Sequence, residues 1–151
     1  MATMIKNKGI KAPVFRKPDV SKFIPQGMED AVARLTAAGM KIMYSPQMRQ
    51  HVLQAIRSTV PTAKKLAGSA VGLLLTLDQR TPGGSPVAAL FPAFLELLGE
   101  AAEVLSSAGQ PVTQADYNEA VQTGMVIIAK KLGGSDQEIM QGLQQATQGA
   151  A

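Results

Sequence analysis

The sequence of 151 residues has no cysteine, no tryptophan, a single histidine, and only two tyrosines and four phenylalanines. Without cysteine there can be no disulfide, thiolate nucleophile, iron–sulfur cluster or cysteine-built zinc site. One histidine, His51, removes every multi-histidine metal site. Charged residues make up 17%, below the ~25% of ordinary soluble domains. With 46% hydrophobic residues the chain is nonetheless too apolar to be disordered throughout. Its length suits one domain, or a domain with an arm. No apolar core of roughly 7–15 residues follows the first lysines, so no secretory signal is expected, and prolines interrupt any long presequence helix.

What is present is an uneven charge. The formal net charge of +4 divides into +5 over residues 1–27, +4 over residues 28–80 and −5 over residues 81–151. Such a bipolar chain suits head-to-tail packing of identical subunits as readily as it suits an acidic external partner. Residues 1–27 read as an extended basic arm. Pro13, Pro18 and Pro25 each remove a backbone donor and push the preceding residue toward an extended conformation. Between them stand Phe15, Arg16, Lys17, Lys22 and Phe23, the residues expected to make the arm's contacts. The apolar ones would pin onto a neighbouring surface while the basic ones meet an acidic one.

From Met28 the periodicity is helical, and the fold class is all-α, a helical bundle of about five helices over residues 28–148 with a tail at 149–151. Met28, Val32, Leu35, Gly39 and Met43 recur at steps of three and four. Ser45-Pro46 is read as a helix start, followed by an inner face of Met48, Val52, Ile56 and Val60. Pro61 breaks that helix. A hydrophobic helical hairpin of about 62–107 follows, turning at Arg80–Gly84, with Ser85-Pro86 as a second start and a kink expected at Pro92. Thr113-x-x-Asp116 resembles a capping box opening a helix with Tyr117, Val121, Met125, Ile128 and Leu132 on one face. Ser135-x-x-Glu138 repeats the box before a glutamine-rich end.

The hairpin is the main candidate interface. The longest charge-free stretch, Thr81–Leu95, has 15 residues, short of the ~20 a spanning helix needs. Gly68-x-x-x-Gly72 would allow close helix approach. With Leu74, Leu77, Phe91, Phe94 and Leu98 it is assigned to the oligomer interface, with contact to a membrane as a further role.

No catalytic constellation is legible. His51 lies at the border of an apolar helix face without a nucleophile or orienting carboxylate at any local spacing. Glu96, Glu100 and Glu103 form an acidic stripe at i, i+4, i+7, either solvated or facing a basic segment of a neighbouring subunit. Gly83-Gly84 lacks the Lys-Ser/Thr and the strand of a phosphate loop. The reading is non-enzymatic, with no cofactor, metal or small-molecule substrate. Any DNA contact would be nonspecific and salt-sensitive, through the lysines of the arm.

The opening Met1-Ala2-Thr3-Met4-Ile5-Lys6, the basic arm, the Ala/Met/Gln-rich helices and the Gln141–Gln148 tail resemble, in overall texture, small virion proteins of tailed bacteriophages. In style they are most similar to the internal, or ejection, proteins of short-tailed phages. The resemblance implies a cysteine-free helical homo-oligomer packed as a ring above the portal inside the capsid. It further implies contacts with other virion proteins and, on infection, a DNA-translocation conduit in the host envelope. Two competing readings are a membrane-permeabilising protein of the holin type and a basic-armed DNA-packing or scaffold protein.

Overall fold

The computed structural model describes residues 15–131. Among them it contains five α-helices, one 3-10 turn at Val20–Phe23 and no strand: α1 Glu29–Met43, α2 Met48–Arg57, α3 Thr62–Arg80, α4 Val87–Ser107 and α5 Gln114–Lys131. The all-α expectation holds. Residues 1–14 of the arm, Leu132, the Ser135–Glu138 capping box and the glutamine-rich end lie outside the described residues.

The axis of the bundle is α4. Its only charges are Glu96, Glu100 and Glu103, and a helix apolar on most sides is stable only when surrounded. Helices α1, α3 and α5 all pack against it. Helix α3 presents Ala63, Leu66, Ala67, Ala70, Val71, Leu74 and Leu77 to the core, a stripe at steps of three and four. Val32, Leu35 and Met43 of α1 and Tyr117, Val121, Met125 and Ile128 of α5 complete it. This placement corrects the expected interface. Leu74, Phe94 and Leu98 are 0% exposed and Leu77 is 8% exposed, so they are the core of one chain and offer no surface to a neighbour. Phe91 is half-buried against the same core.

The close helix approaches also fall elsewhere than the motif suggested. A Cβ added at Gly68 or Gly72 would meet nothing within 4 Å, so the pair makes no tight contact within the chain. The glycines that do are Gly39 and Gly124. A methyl at Gly39 would run into the Leu97 side chain of α4, and one at Gly124 into the Phe94 ring. Neither sits in a GxxxG pattern.

Local chemistry explains the helix boundaries. The Thr113–Asp116 box is reciprocal: Thr113 N–H donates to Asp116 Oδ2 at 3.1 Å and Asp116 N–H donates to Thr113 Oγ1 at 3.0 Å. The shorter aspartate therefore suffices where glutamate is usual. The two Ser-Pro pairs behave differently from expectation. Ser45 Oγ donates back to the carbonyl of Ile42, at 2.7 Å, closing α1 rather than opening α2. At the second pair, Ser85 N–H donates to Asp78 Oδ1 at 2.6 Å, and the cap position of α4 has no side-chain hydrogen bond. Asp78 thus ties the α3–α4 turn. Helix α4 runs continuously through Pro92. The carbonyl Pro92 leaves without an i+4 donor belongs to exposed Ala88, where water can serve it.

Candidate functional site

Two features stand outside the ordinary core. The first joins the arm to the acidic stripe of its own chain. Phe15 lies buried with its ring 4.5 Å from that of Tyr117, at 35°, and its N–H donates to Val112 O at 3.2 Å. That anchor lays Lys17 along α4, where its Nζ donates to Glu100 Oε1 and stands 3.8 Å from Glu103 Oε1. Tyr44, just beyond α1, donates its hydroxyl to Glu100 Oε2 at 2.8 Å. A near-buried carboxylate is thereby held by two donors from separate parts of the chain. Of the described arm residues, Lys17 meets the acidic stripe, and it does so within its own chain.

The electrostatics follow this geometry. The hydrogen bond to Glu100, and then its charge, hold the Lys17 ammonium above its ordinary value of 10.5, against some desolvation. Burial works to raise the Glu100 carboxyl, but the hydrogen bonds from Lys17 and Tyr44 outweigh it and leave it below 4.5. Hydrogen bonding to Glu100 pushes the Tyr44 hydroxyl up to about 12. Glu96 is raised, chiefly by burial, with Lys17 opposing. The stripe therefore divides into a buried, bonded Glu100, a half-buried Glu96 and an exposed Glu103. Arg16 and Lys22 are exposed, and Phe23 is half-buried against the core.

The second feature is a groove between α2 and α3 of about 840 Å³. Helix α2 has Met48, Val52, Ala55 and Ile56 on one face, yet not one of its residues is buried. Leu53 is 51% exposed, and Val60, expected on the inner face, is exposed too. Across from α2, the flank of α3 carries Gly68, Ser69, Gly72 and Leu73, and Val104 and Leu105 of α4 close the floor. This is where the glycine pair belongs: with no side chains, it deepens an open trough. Lys41, His51, Lys65 and Arg80 line the trough, and no aspartate or glutamate does. Sequence reasoning missed this site. The signal was there in α2, a 10-residue helix with an apolar stripe and no acidic side chain. Tyr44 gave no signal at all, since its partner lies 56 positions away.

Among the described residues, no three His, Asp or Glu side chains converge as a metal-binding group. Also among them, no helix is long and apolar enough to cross a membrane. His51 stands at the exposed edge of the groove rather than in a cluster of polar groups. What the arrangement can do chemically is bind, through apolar area and basic charge. No protein-family model, no curated protein and no solved structure matches this chain.

Proposed function

We propose that this chain is a non-enzymatic structural subunit of an oligomeric assembly, and more specifically a bacteriophage internal, or ejection, protein. The observation that supports this reading is the α2–α3 groove. A chain that buries most of its most hydrophobic hairpin still leaves helix α2 with no buried residue and its apolar face, Val52, Ala55 and Ile56, only partly covered by the core. Exposed apolar patches rimmed by polar residues mark interaction sites in soluble proteins. The basic rim confers a preference for acidic surface, and the exposed Glu103 and Glu119 offer acidic side chains on another copy.

The interface of this reading is therefore the groove of α2 and α3 rather than the buried side chains of the hairpin. Mass photometry of the full-length protein tests it, with and without liposomes. The expected result is a discrete high-order particle in at least one condition. A monomer in both, at micromolar concentration, refutes the assembly reading. A basic face also admits nonspecific DNA contact. Retention of duplex DNA that weakens steeply between 50 and 200 mM salt, on the order of 10³-fold for six or more phosphates, would favour the DNA-packing alternative.

A further inference from the structure

Acidic side chains are missing from a long part of this sequence. Between Asp30 and Asp78 there is neither aspartate nor glutamate, while Arg34, Lys41, Arg49, Arg57, Lys64 and Lys65 all fall there. The structure exposes every one of these cations except Lys65, which is partly covered. Exposed apolar side chains gather in the same stretch. Of the large hydrophobics that stand in solvent among the described residues, Tyr44, Leu53 and Val60 belong to it and Val87 lies outside. Tyr44 is tied by its hydroxyl to Glu100, which leaves Leu53 and Val60 unengaged.

Helix α2 sets out the pattern. Arg49, Leu53 and Arg57 recur at steps of four and so form one stripe, each about 6 Å from the next along the axis. Val60 follows on the exposed corner before α3, between Arg57 and Lys64, with its N–H donating to Ser58 Oγ at 3.1 Å. Cation and hydrocarbon thus alternate along α2 and the corner after it. Arg49, Leu53, Arg57 and Val60 do not line the α2–α3 groove, so this surface is separate from the assembly contact. The acids of the adjoining α4 are already engaged: Glu100 is bonded by Lys17 and Tyr44, and Glu103 stands 3.8 Å from Lys17 Nζ.

We propose that this stripe and corner dock on an anionic phospholipid bilayer. Leu53 and Val60 enter the boundary between headgroups and acyl chains, while Arg49, Arg57 and Lys64 meet the phosphates. A basic amphipathic helix lying in the plane of a membrane divides its side chains in this way. Arginine and lysine keep their charge among the headgroups while their stems cover hydrocarbon. Nucleic acid would satisfy the same cations, but its polar, charged interface gives the two aliphatic side chains nothing to bury against. Two such side chains per copy are too little to hold a neutral membrane, so the docking depends on negative surface charge. It is contact in the plane of the bilayer; no described helix is long and apolar enough to cross one.

The test floats full-length protein with vesicles of phosphatidylcholine alone and of phosphatidylcholine with phosphatidylserine. Recovery with the second kind only is expected; equal recovery with both, or recovery with neither, overturns the proposal. Arg49→Gln with Arg57→Gln should weaken binding roughly 25-fold, and Leu53→Ser with Val60→Ser roughly tenfold. All four side chains are exposed, so the circular dichroism should not change, and binding unaltered by either pair overturns the proposal. Because the chain has no cysteine, a nitrobenzoxadiazole dye on Leu53→Cys is a single label. Its emission should shift to the blue with anionic vesicles, and the same dye on Glu119→Cys, an exposed position of α5, should not; equal shifts at both sites overturn the assignment. Duplex DNA retained by a protein that ignores vesicles, and released by the arginine pair alone, would identify nucleic acid as the partner instead. A monomer that binds vesicles as described refutes the assembly reading and leaves this one standing.

Discussion

Gly124→Ala separates the geometry of this core from the ordinary behaviour of helix glycines. Replacing glycine by alanine inside a helix normally stabilises it by ~1 kcal/mol. At Gly124 a Cβ would lie 2.6 Å from Phe94 Cε1, and Phe94 is fully buried, so neither ring nor helix can move aside cheaply. Overpacking of this kind costs ~1–3 kcal/mol, and two ring atoms inside 3.0 Å put the site at the upper end. The net expectation is a loss of about 2 kcal/mol, or roughly 4–8 °C in Tm for a chain of this size. Gly68→Ala, with nothing to meet in its own chain, should instead gain up to ~1 kcal/mol in the monomer. Urea unfolding followed by circular dichroism at 222 nm measures both. A Gly124→Ala variant as stable as the parent would refute the packing of α5 on α4 described here.

Other outcomes follow from named contacts. Asp116→Ala removes half of the α5 capping box and should cost about 1 kcal/mol in the same urea assay. Phe94→Ala should lose ~3–5 kcal/mol, and Leu74→Asp, which buries a carboxylate in the core, should fail to fold at all, as its circular dichroism would show. Lys17→Met leaves Glu100 with Tyr44 alone and should destabilise by about 1–2 kcal/mol, a figure kept low because Lys17 is partly solvated. The pH dependence has two edges. Glu100 sits below 4.5 when folded, so its contribution is present above that value and lost as pH falls through the lowered one. Lys17 sits above 10.5, so its contribution is present below that value and lost as pH rises through the raised one. Stability of the wild type relative to Lys17→Met should therefore be flat between these edges and shrink beyond both, and a difference that is constant from pH 3 to 11 would rule out the Lys17–Glu100 pair.

Much of the architecture was legible in the chain because it depends on neighbours in sequence. The three-and-four spacing of Val32, Leu35, Gly39 and Met43 marks a buried face whatever it packs against, and the structure buries all four. The Thr113–Asp116 box needs only four residues, and Gly83 and Gly84 adopt positive φ at the turn expected of them. Ser45 and Ser85 show the edge of this local logic. Each has a hydroxyl beside a proline, but the Ser45 hydroxyl donates to Ile42 O and it is the backbone N–H of Ser85 that donates to Asp78, and no short-range rule ranks those acceptors.

The sequence by itself determined an all-α chain, the absence of thiol and multi-histidine chemistry, the bipolar charge and the positions of the helices. These are properties of composition and of periods shorter than two helical turns. Only the tertiary structure decided which apolar face would be covered. Hydrophobic stripes on α2, α3 and α4 look alike in one dimension, because burial is set by how many other elements a helix can reach. Helix α4 reaches all four others and the 3-10 turn, and most of its apolar surface disappears. Helix α2 stays largely uncovered, and its stripe becomes the wall of a groove. The same holds for charge: Glu96, Glu100 and Glu103 are equivalent in spacing, and only the return of Phe15 onto Tyr117 brings Lys17 to Glu100.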